Sequence, residues 1–412
     1  MPDTSTQESS PSSASDARAR RTPLDILIIA GHVRSLDWAE TQWAPDLARA
    51  LADRGHKIEV ALDGCDDPAM FRDLPLLIHR PFRRHFGAEP FAFRAWARGL
   101  LEARPRSVAL SLTPLFCGDV WLPLGPRASE IASRILSERQ VVGAALELVH
   151  HPWLAHELLA ERRAMKDAPR RRVQPLTIGP HAEGSSLRSL GYAARWQPIE
   201  EPERSRVRRE LRARLGIPAD DLVFLLGGTH AKGRPPVNLF QALAMLNRVA
   251  TPSRAGEAAN PPVSRRIRMI VTGRQSHTLH ELAREAGCLD LVSFVGTRVN
   301  VAELFAASDV AIVAFGEAGL GTGRFACEAI RAGLPLIAAA NTPGSDLVDS
   351  GTHKPGDMVR EQTQESWLAT MGRALDPHWL EQVRDSARRM SPDLTLGRLV
   401  ERLESYLLGA LR

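Results

Sequence analysis

The residues best suited to chemistry gather in two loops. One is Gly319-Leu-Gly-Thr-Gly323, which follows an apolar run ending at Phe315 and leads into a helical stretch carrying Arg324 and Glu328. Glycines in such a turn let backbone N–H groups approach an anion, and the helix N-terminus behind them adds a favourable dipole. The other loop opens at Gly228 and holds Lys232 and Arg234, just past the apolar run 222–226. Open α/β sheets bind ligands beyond the carboxyl ends of their strands. Two cations there can meet an anion through charge-assisted hydrogen bonds. Arg324 can reach the same anion or lie on the surface. A tight turn and two exposed charges are the plainer readings of the two loops. A dinucleotide fingerprint is a poorer one, because it normally opens the first βα unit of its domain, and this turn follows a late strand.

A third set lies in the first half. Gly31, His32 and Arg34 follow the first apolar run, where Arg34 can reach a phosphate or an anionic acceptor. Asp119 falls beyond the run ending at Leu112, placed either to orient an acceptor hydroxyl or to cap a loop. Glu317 is the acid nearest the glycine turn. His150 and His151 precede Pro152 with no acid or cysteine at ligand spacing, which favours a structural role over a metal site. The sequence contains no Asp-x-Asp, and cationic stabilisation of an anion makes a divalent metal unnecessary. No metal and no cofactor are expected.

These loops need a scaffold of alternating strands and helices. Residues 25–31 read as a strand, 44–54 as an amphipathic helix closed by Gly55, and 57–62 as the next strand, which makes a βαβ unit. Further strands are expected at 107–112 and 173–178, with a helix over 141–166 interrupted near Pro152. A charged helix ending at Gly216 opens a second passage, with strands at 222–226, 268–273, 291–296, 309–315 and 334–339. Residues 251–264 are polar and proline-bearing and read as a surface insertion. The prolines and glutamates of Pro198-Ile-Glu-Glu-Pro202 suit an exposed linker. The expected divisions are a disordered tail at 1–21, an α/β domain at 22–200, a second at 201–390 and a last helix at 391–412. That helix carries Leu396, Leu399, Val400, Leu403 and Leu407 at helical spacing and must bury the stripe.

The composition fits this division. An apolar share of 44% over 412 residues is enough for two cores. Cys65, Cys117, Cys288 and Cys327 show no CxxC spacing and read as reduced thiols of a cytoplasmic protein. Residues 1–21 lack the apolar segment of a signal peptide, and no run is long enough to span a bilayer. The net charge of +5 concentrates in Arg80-Pro-Phe-Arg-Arg-His-Phe86 and in residues 161–172. Such knots are solvated surface or a patch for an anionic lipid face. No nucleic-acid module is present, so nucleic acid is not an expected partner.

Residues 222–348 resemble the C-terminal domain of family 4 retaining glycosyltransferases. The carrying segments are Leu225-Leu-Gly-Gly-Thr-His-Ala-Lys-Gly-Arg234, Met269-Ile-Val-Thr-Gly273, Val292-Ser-Phe-Val-Gly296, Val301-Ala-Glu-Leu-Phe-Ala-Ala-Ser-Asp309 and Glu328-Ala-Ile-Arg-Ala-Gly-Leu-Pro335. Within that family the chain looks most like the lipopolysaccharide core glucosyltransferases. The first half matches more loosely, through Arg54-Gly-His56 and Gly118-Asp-Val-Trp121. The resemblance implies the GT-B fold: two Rossmann-like domains face each other across a cleft, and the last helix packs back on the N-terminal domain.

It implies a hexose transferred with retention and without metal from a nucleotide-diphosphate sugar, itself the substrate, to a surface glycan or glycolipid. The setting would be cytoplasmic, on the inner face of the membrane. Lys232 and Arg234 would hold the diphosphate, Glu328 the ribose hydroxyls, and Glu317 the transferred sugar. Gly31, Arg34, Gly228, Gly319, Gly321, Thr322, Gly323 and Arg324 would line the donor site. The family spaces its two glutamates with seven residues between them. Counting back from Glu328 reaches Leu320, so Glu317 lies three residues early. The first βα loop also has a single glycine where the family has a pair. A protein that kept the fold and lost turnover, or a nucleotide-sugar epimerase, are the alternatives.

Overall fold

The computed structural model describes residues 23–33, 43–79, 89–113, 118–124, 158, 159, 161, 162, 174–178, 188–194, 197–227, 237–250, 266–273, 276–296, 299–314, 323–342, 344–349 and 353–411. The tail 1–21, the basic runs 80–86 and 163–172, the histidines 150 and 151, Cys117 and the insertion 251–264 lie outside the described residues.

The first domain contains β1 (Asp25–Val33), α1 (Trp43–Ala52), β2 (Lys57–Cys65), β3 (Leu76–Ile78), α2 (Glu89–Glu102), β4 (Val108–Ser111), β5 (Val120–Trp121), β6 (Gln174–Thr177) and β7 (Arg188–Ser189). Its strands pair in parallel in the order β3-β2-β1-β4-β5-β6-β7. β1 is nearly all apolar because both faces are covered, as parallel sheets require. Ile26, Ile28 and Ala30 enter a core with Leu47 and Leu51 of α1. Leu27 and Ile29 enter another with Phe93 and Ala97 of α2.

The second domain contains α3 (Glu203–Arg214), β8 (Leu222–Gly227), α4 (Val237–Ala250), β9 (Ile267–Thr272), α5 (Ser276–Glu285), β10 (Val292–Gly296), α6 (Val301–Ala307), β11 (Val310–Val313), α7 (Arg324–Arg331), β12 (Leu336–Ala339), α8 (Asp346–Asp349), β13 (Gly356–Val359), α9 (Gln364–Arg373) and α10 (Pro377–Met390). Its parallel order is β10-β9-β8-β11-β12-β13. The two sheets therefore share one winding: each runs outward from its first strand in one direction, then reverses. The reversals fall between β1 and β4 and between β8 and β11. The strand β8 again alternates between two cores, with Leu222, Phe224 and Leu226 on one side and Val223 and Leu225 on the other.

One ion cluster stitches α3 to the start of β11. Asp309, 2% exposed, accepts from Arg208 at 2.7 Å, Arg212 at 2.8 Å, Arg384 at 3.2 Å and the Val223 N–H at 2.9 Å. Burial pushes the Asp309 carboxyl up, but Arg208, Arg212 and the Val223 amide outweigh it and hold it below the ordinary carboxylate range.

The last helix, α11 (Leu396–Ala410), returns to the first domain, where Leu399, Val400, Leu403 and Leu407 are fully buried in its core. Glu404 fixes its rotation. The Leu24 N–H donates to His56 Nδ1 at 3.2 Å, which leaves the ring proton on Nε2 to donate to Glu404 Oε1 at 3.0 Å. Arg54 holds the other carboxylate oxygen at 2.7 Å. Glu404→Ala strands a buried imidazole N–H and part of a guanidinium. We expect it to lower the unfolding free energy by about 1–3 kcal/mol, read by denaturant titration; an unchanged midpoint would contradict this role. Two strands of chain cross between the domains side by side, with the Ala194 N–H donating to Leu394 O at 2.8 Å beside a parallel bridge from Ala194 to Thr395.

Among the described residues, no helix is long and apolar enough to cross a membrane. Cys65, Cys288 and Cys327 are free thiols. Burial pushes Cys288 up to about 11 and Cys327 well above the ordinary thiol range, so neither is a nucleophile at neutral pH.

Candidate functional site

Sheets wound in this way open a crevice at the carboxyl end where the strand order reverses. In the second domain that place lies between the ends of β8 and β11, whose last paired residues are Gly227 and Val313. The chain leaving β11 enters α7 here. Gly323 caps that helix in the left-handed region, φ 61 and ψ 19, a conformation costly for any residue with a Cβ. The N-terminus of α7, an eight-residue helix, thus opens onto the switch point. The Phe325 ring packs against Gly227, leaving no room for a Cβ at that residue. This packing fixes the helix end relative to β8.

The first helical turns carry the charges. Arg324 Nε donates to Glu328 Oε1 at 2.6 Å, with both side chains almost fully buried. Ala326, Cys327, Ala329 and Ile330 face the sheet, so Arg324 and Glu328 share the opposite face. Glu328 also borders a narrow cavity with Arg204, Phe305, Ala306 and Gln197. The guanidinium of the first helical residue pairs with the carboxylate one turn on. The pair presents a combined donor and acceptor at the start of α7. Such a group suits a ligand carrying both an anion and vicinal hydroxyls.

Of the residues singled out in the sequence, Gly323, Arg324 and Glu328 come together at the helix start. Arg34, Gly228, Lys232, Arg234, Glu317, Gly319, Gly321 and Thr322 lie outside the described residues. Three expectations are corrected. Gly31 does not open a loop: β1 continues to Val33, paired through His32 with Gly64 and Val33 with Cys65. Among the described residues, no protein atom lies within 4 Å of a Cβ added at Gly31. His32 is likewise a strand residue, its Nε2 2.7 Å from Asp66 Oδ1.

Asp119 does not stand beyond a strand end. The chain doubles back after Thr113, and Asp119 enters β5 level with Ala109, near the amino end of β4. Its carboxylate accepts the Ala109 N–H at 2.9 Å, and its own N–H donates to Ala109 O at 3.0 Å. That is the loop-capping role, on the wrong side of the sheet for a crevice.

Sequence reading passed over Tyr192 and Asp346. Tyr192 packs against Gly323 and donates to Asp346 at 2.5 Å. A single tyrosine in an irregular segment gives no periodic signal, and its partner lies 154 positions away. The Arg324–Glu328 pair did leave a signal, the i,i+4 spacing of opposite charges on one helix.

Residues 251–376 match the family model described as glycosyl transferases group 1. The match covers the helix start just described. No curated protein matches the chain. Among solved structures, the chain is similar to WaaG, a glycosyltransferase involved in lipopolysaccharide biosynthesis, with 17% identity, TM-score 0.63, and coverage of 93% of this chain and 100% of that one. It is similar to a glycosyltransferase from Rickettsia africae, at 12% identity and TM-score 0.63, covering 94% and 99%. It is also similar to Anabaena HepE in complex with UDP and glucose, at 17% identity and TM-score 0.60, covering 93% and 99%. The fold is GT-B, with two parallel α/β domains. The family match supports glycosyl transfer as the activity.

Proposed function

We propose that the chain is a glycosyltransferase that takes a hexose from a nucleotide-diphosphate sugar held at the start of α7. One observation carries this reading: Gly323, Arg324 and Glu328 converge at the switch point of the second sheet, inside the segment matching group 1 glycosyltransferases. Cleaving the donor leaves a diphosphate whose charge grows in the transition state. The N-terminal amides of α7 stabilise it, with Lys232 and Arg234 as cations from the loop after β8. Glu328, aimed by Arg324, accepts hydrogen bonds from the ribose hydroxyls. Glu317 meets the transferred sugar. The likeness to HepE holding UDP and glucose favours a uridine donor.

The acceptor belongs against the first domain, at its own reversal between β1 and β4. The likeness to WaaG, a glycosyltransferase involved in lipopolysaccharide biosynthesis, favours a lipopolysaccharide-type glycolipid as acceptor, and a position on the cytoplasmic face of the membrane is part of the same proposal. In this reading the anomeric configuration is retained, and neither metal nor a further cofactor takes part.

The test is incubation of the purified chain with UDP-, GDP- and ADP-hexoses, with and without a glycolipid acceptor. We expect nucleotide release that rises with acceptor present. Binding of none of the three donors would end the proposal, and an epimeric sugar formed from donor alone would replace it.

A further inference from the structure

The segment that leaves the first domain reaches the cap of α7 through one side chain, Tyr192. Tyr192 lies between β7 and the linker, and its hydroxyl donates to Asp346 Oδ1 at 2.5 Å. Asp346 begins α8, on the loop that follows β12. Burial drives the Tyr192 hydroxyl far above its ordinary range and raises the Asp346 carboxyl, so the phenol keeps its proton and acts as donor. The ring of Tyr192 has a second task. A Cβ added at Gly323 would sit 2.6 Å from a Tyr192 ring carbon and 3.2 Å from the Gly344 Cα. A Cβ at Gly344, itself at φ 85, would sit 2.6 Å from the Ala326 Cβ. The cap of α7 is therefore gripped between the Tyr192 ring and the Gly344 turn, and Asp346 ties the two jaws together.

The same segment is anchored to the last helix. Arg402 donates to Leu190 O at 2.6 Å on one side of Tyr192, and the Ala194 N–H donates to Leu394 O at 2.8 Å on the other. Tyr192 is thus the contact through which the crossing between domains touches the cap of α7.

We propose that Tyr192 is a positioning residue that sets the cap of α7 in register with the first domain, so that a nucleotide diphosphate bound at the helix start is presented to the acceptor side. This inference rests on the transferase reading. A positioning residue acts on the geometry of the helix start more than on the overall stability of the fold, which separates it from a packing residue.

The experiment has two arms. The first needs no ligand. Tyr192→Phe keeps the ring and removes the hydroxyl, so amide hydrogen exchange at residues 327–330, whose amides are bonded inside α7 starting with Cys327 to Gly323 O, should quicken about tenfold, the scale of a lost hydrogen bond to a carboxylate. Amides of β8 and β9 should be unchanged. The second arm is calorimetry at 25 °C with UDP, GDP and ADP. Tyr192→Phe should weaken the diphosphate that the wild type binds best by about tenfold. Asp346→Asn should do about the same, and the double variant should be no weaker than either.

Tyr406→Phe, a change at the only other tyrosine, on α11, should leave that affinity unchanged. A lower melting temperature with unaltered affinity and unaltered exchange at 327–330 overturns the proposal. A wild type that binds none of the three diphosphates sinks the transferase reading and this inference with it. The exchange arm still reports whether Tyr192 holds the helix cap.

Discussion

Asp309→Asn should lower the unfolding free energy by about 3–5 kcal/mol, the scale of breaking a buried ion pair from one side. The carboxylate is 2% exposed and answers three guanidinium groups, of which Arg212 is as buried as Asp309 itself. The amide keeps one acceptor oxygen and loses the charge that compensates them. Arg212 also donates to the carbonyls of Ala307, Ala219 and Asp221, so it cannot swing out to water without breaking those bonds. The effect should depend on pH. Because the native carboxyl sits below its ordinary range, the ion cluster contributes fully above the unfolded value near 3.9, and its contribution drains as pH falls through the lowered native value. The stability gap between wild type and Asp309→Asn should therefore narrow below about pH 4. Denaturant titrations at pH 7 and pH 3.5 check both statements, and a gap that stays constant with pH contradicts the second.

Glu328→Ala carries the largest expected effect on binding. Loss of a hydrogen bond to a charged group costs about 1.5–3 kcal/mol, which is roughly 10- to 100-fold in affinity for the nucleotide diphosphate. The change also leaves the buried Arg324 without this carboxylate, so melting temperature should fall as well. Glu328→Gln separates the two effects. It keeps an acceptor for the ribose and for Arg324 Nε, so it should bind more tightly than the alanine variant and less tightly than wild type. Calorimetry at a temperature where both variants are folded gives the answer. Equal affinity in all three proteins would remove Glu328 from the donor site.

Much of the fold was legible because parallel strands buried on both faces write continuous apolar runs. The runs at 222–226 and 268–273 became β8 and β9 within a residue or so, and Gly55 and Gly216 both take positive φ where helices end. The shortest strands were not legible. β5 and β7 have two residues each, too few to show a period, and exist only because a neighbour pairs with them. The same blindness misplaced Asp119: the count past Leu112 was right, but nothing local says that the chain turns back to the amino end of β4.

At the site, the residues sharing one helix were readable and those joined across the chain were not. Glu328 and Arg324 are four apart on α7, whereas Tyr192 meets Asp346, and Glu404 meets His56, across 154 and 348 positions of chain. Arg208 and Arg212 sit one turn apart on α3, but the Asp309 that joins them lies about a hundred residues on.

The paired crossing at Ala194 and Thr395 restricts how the two domains can breathe. A body suspended from one cord can twist and slide in any direction. Suspended from two cords knotted together at one point, it keeps a swing about that knot and loses most sliding. Opening and closing should then follow a nearly fixed arc and return the two halves to the same alignment each cycle. Cutting the chain after Arg389 would sever one cord and remove the buried stripe of α11 as well, turning a guided swing into an unguided one.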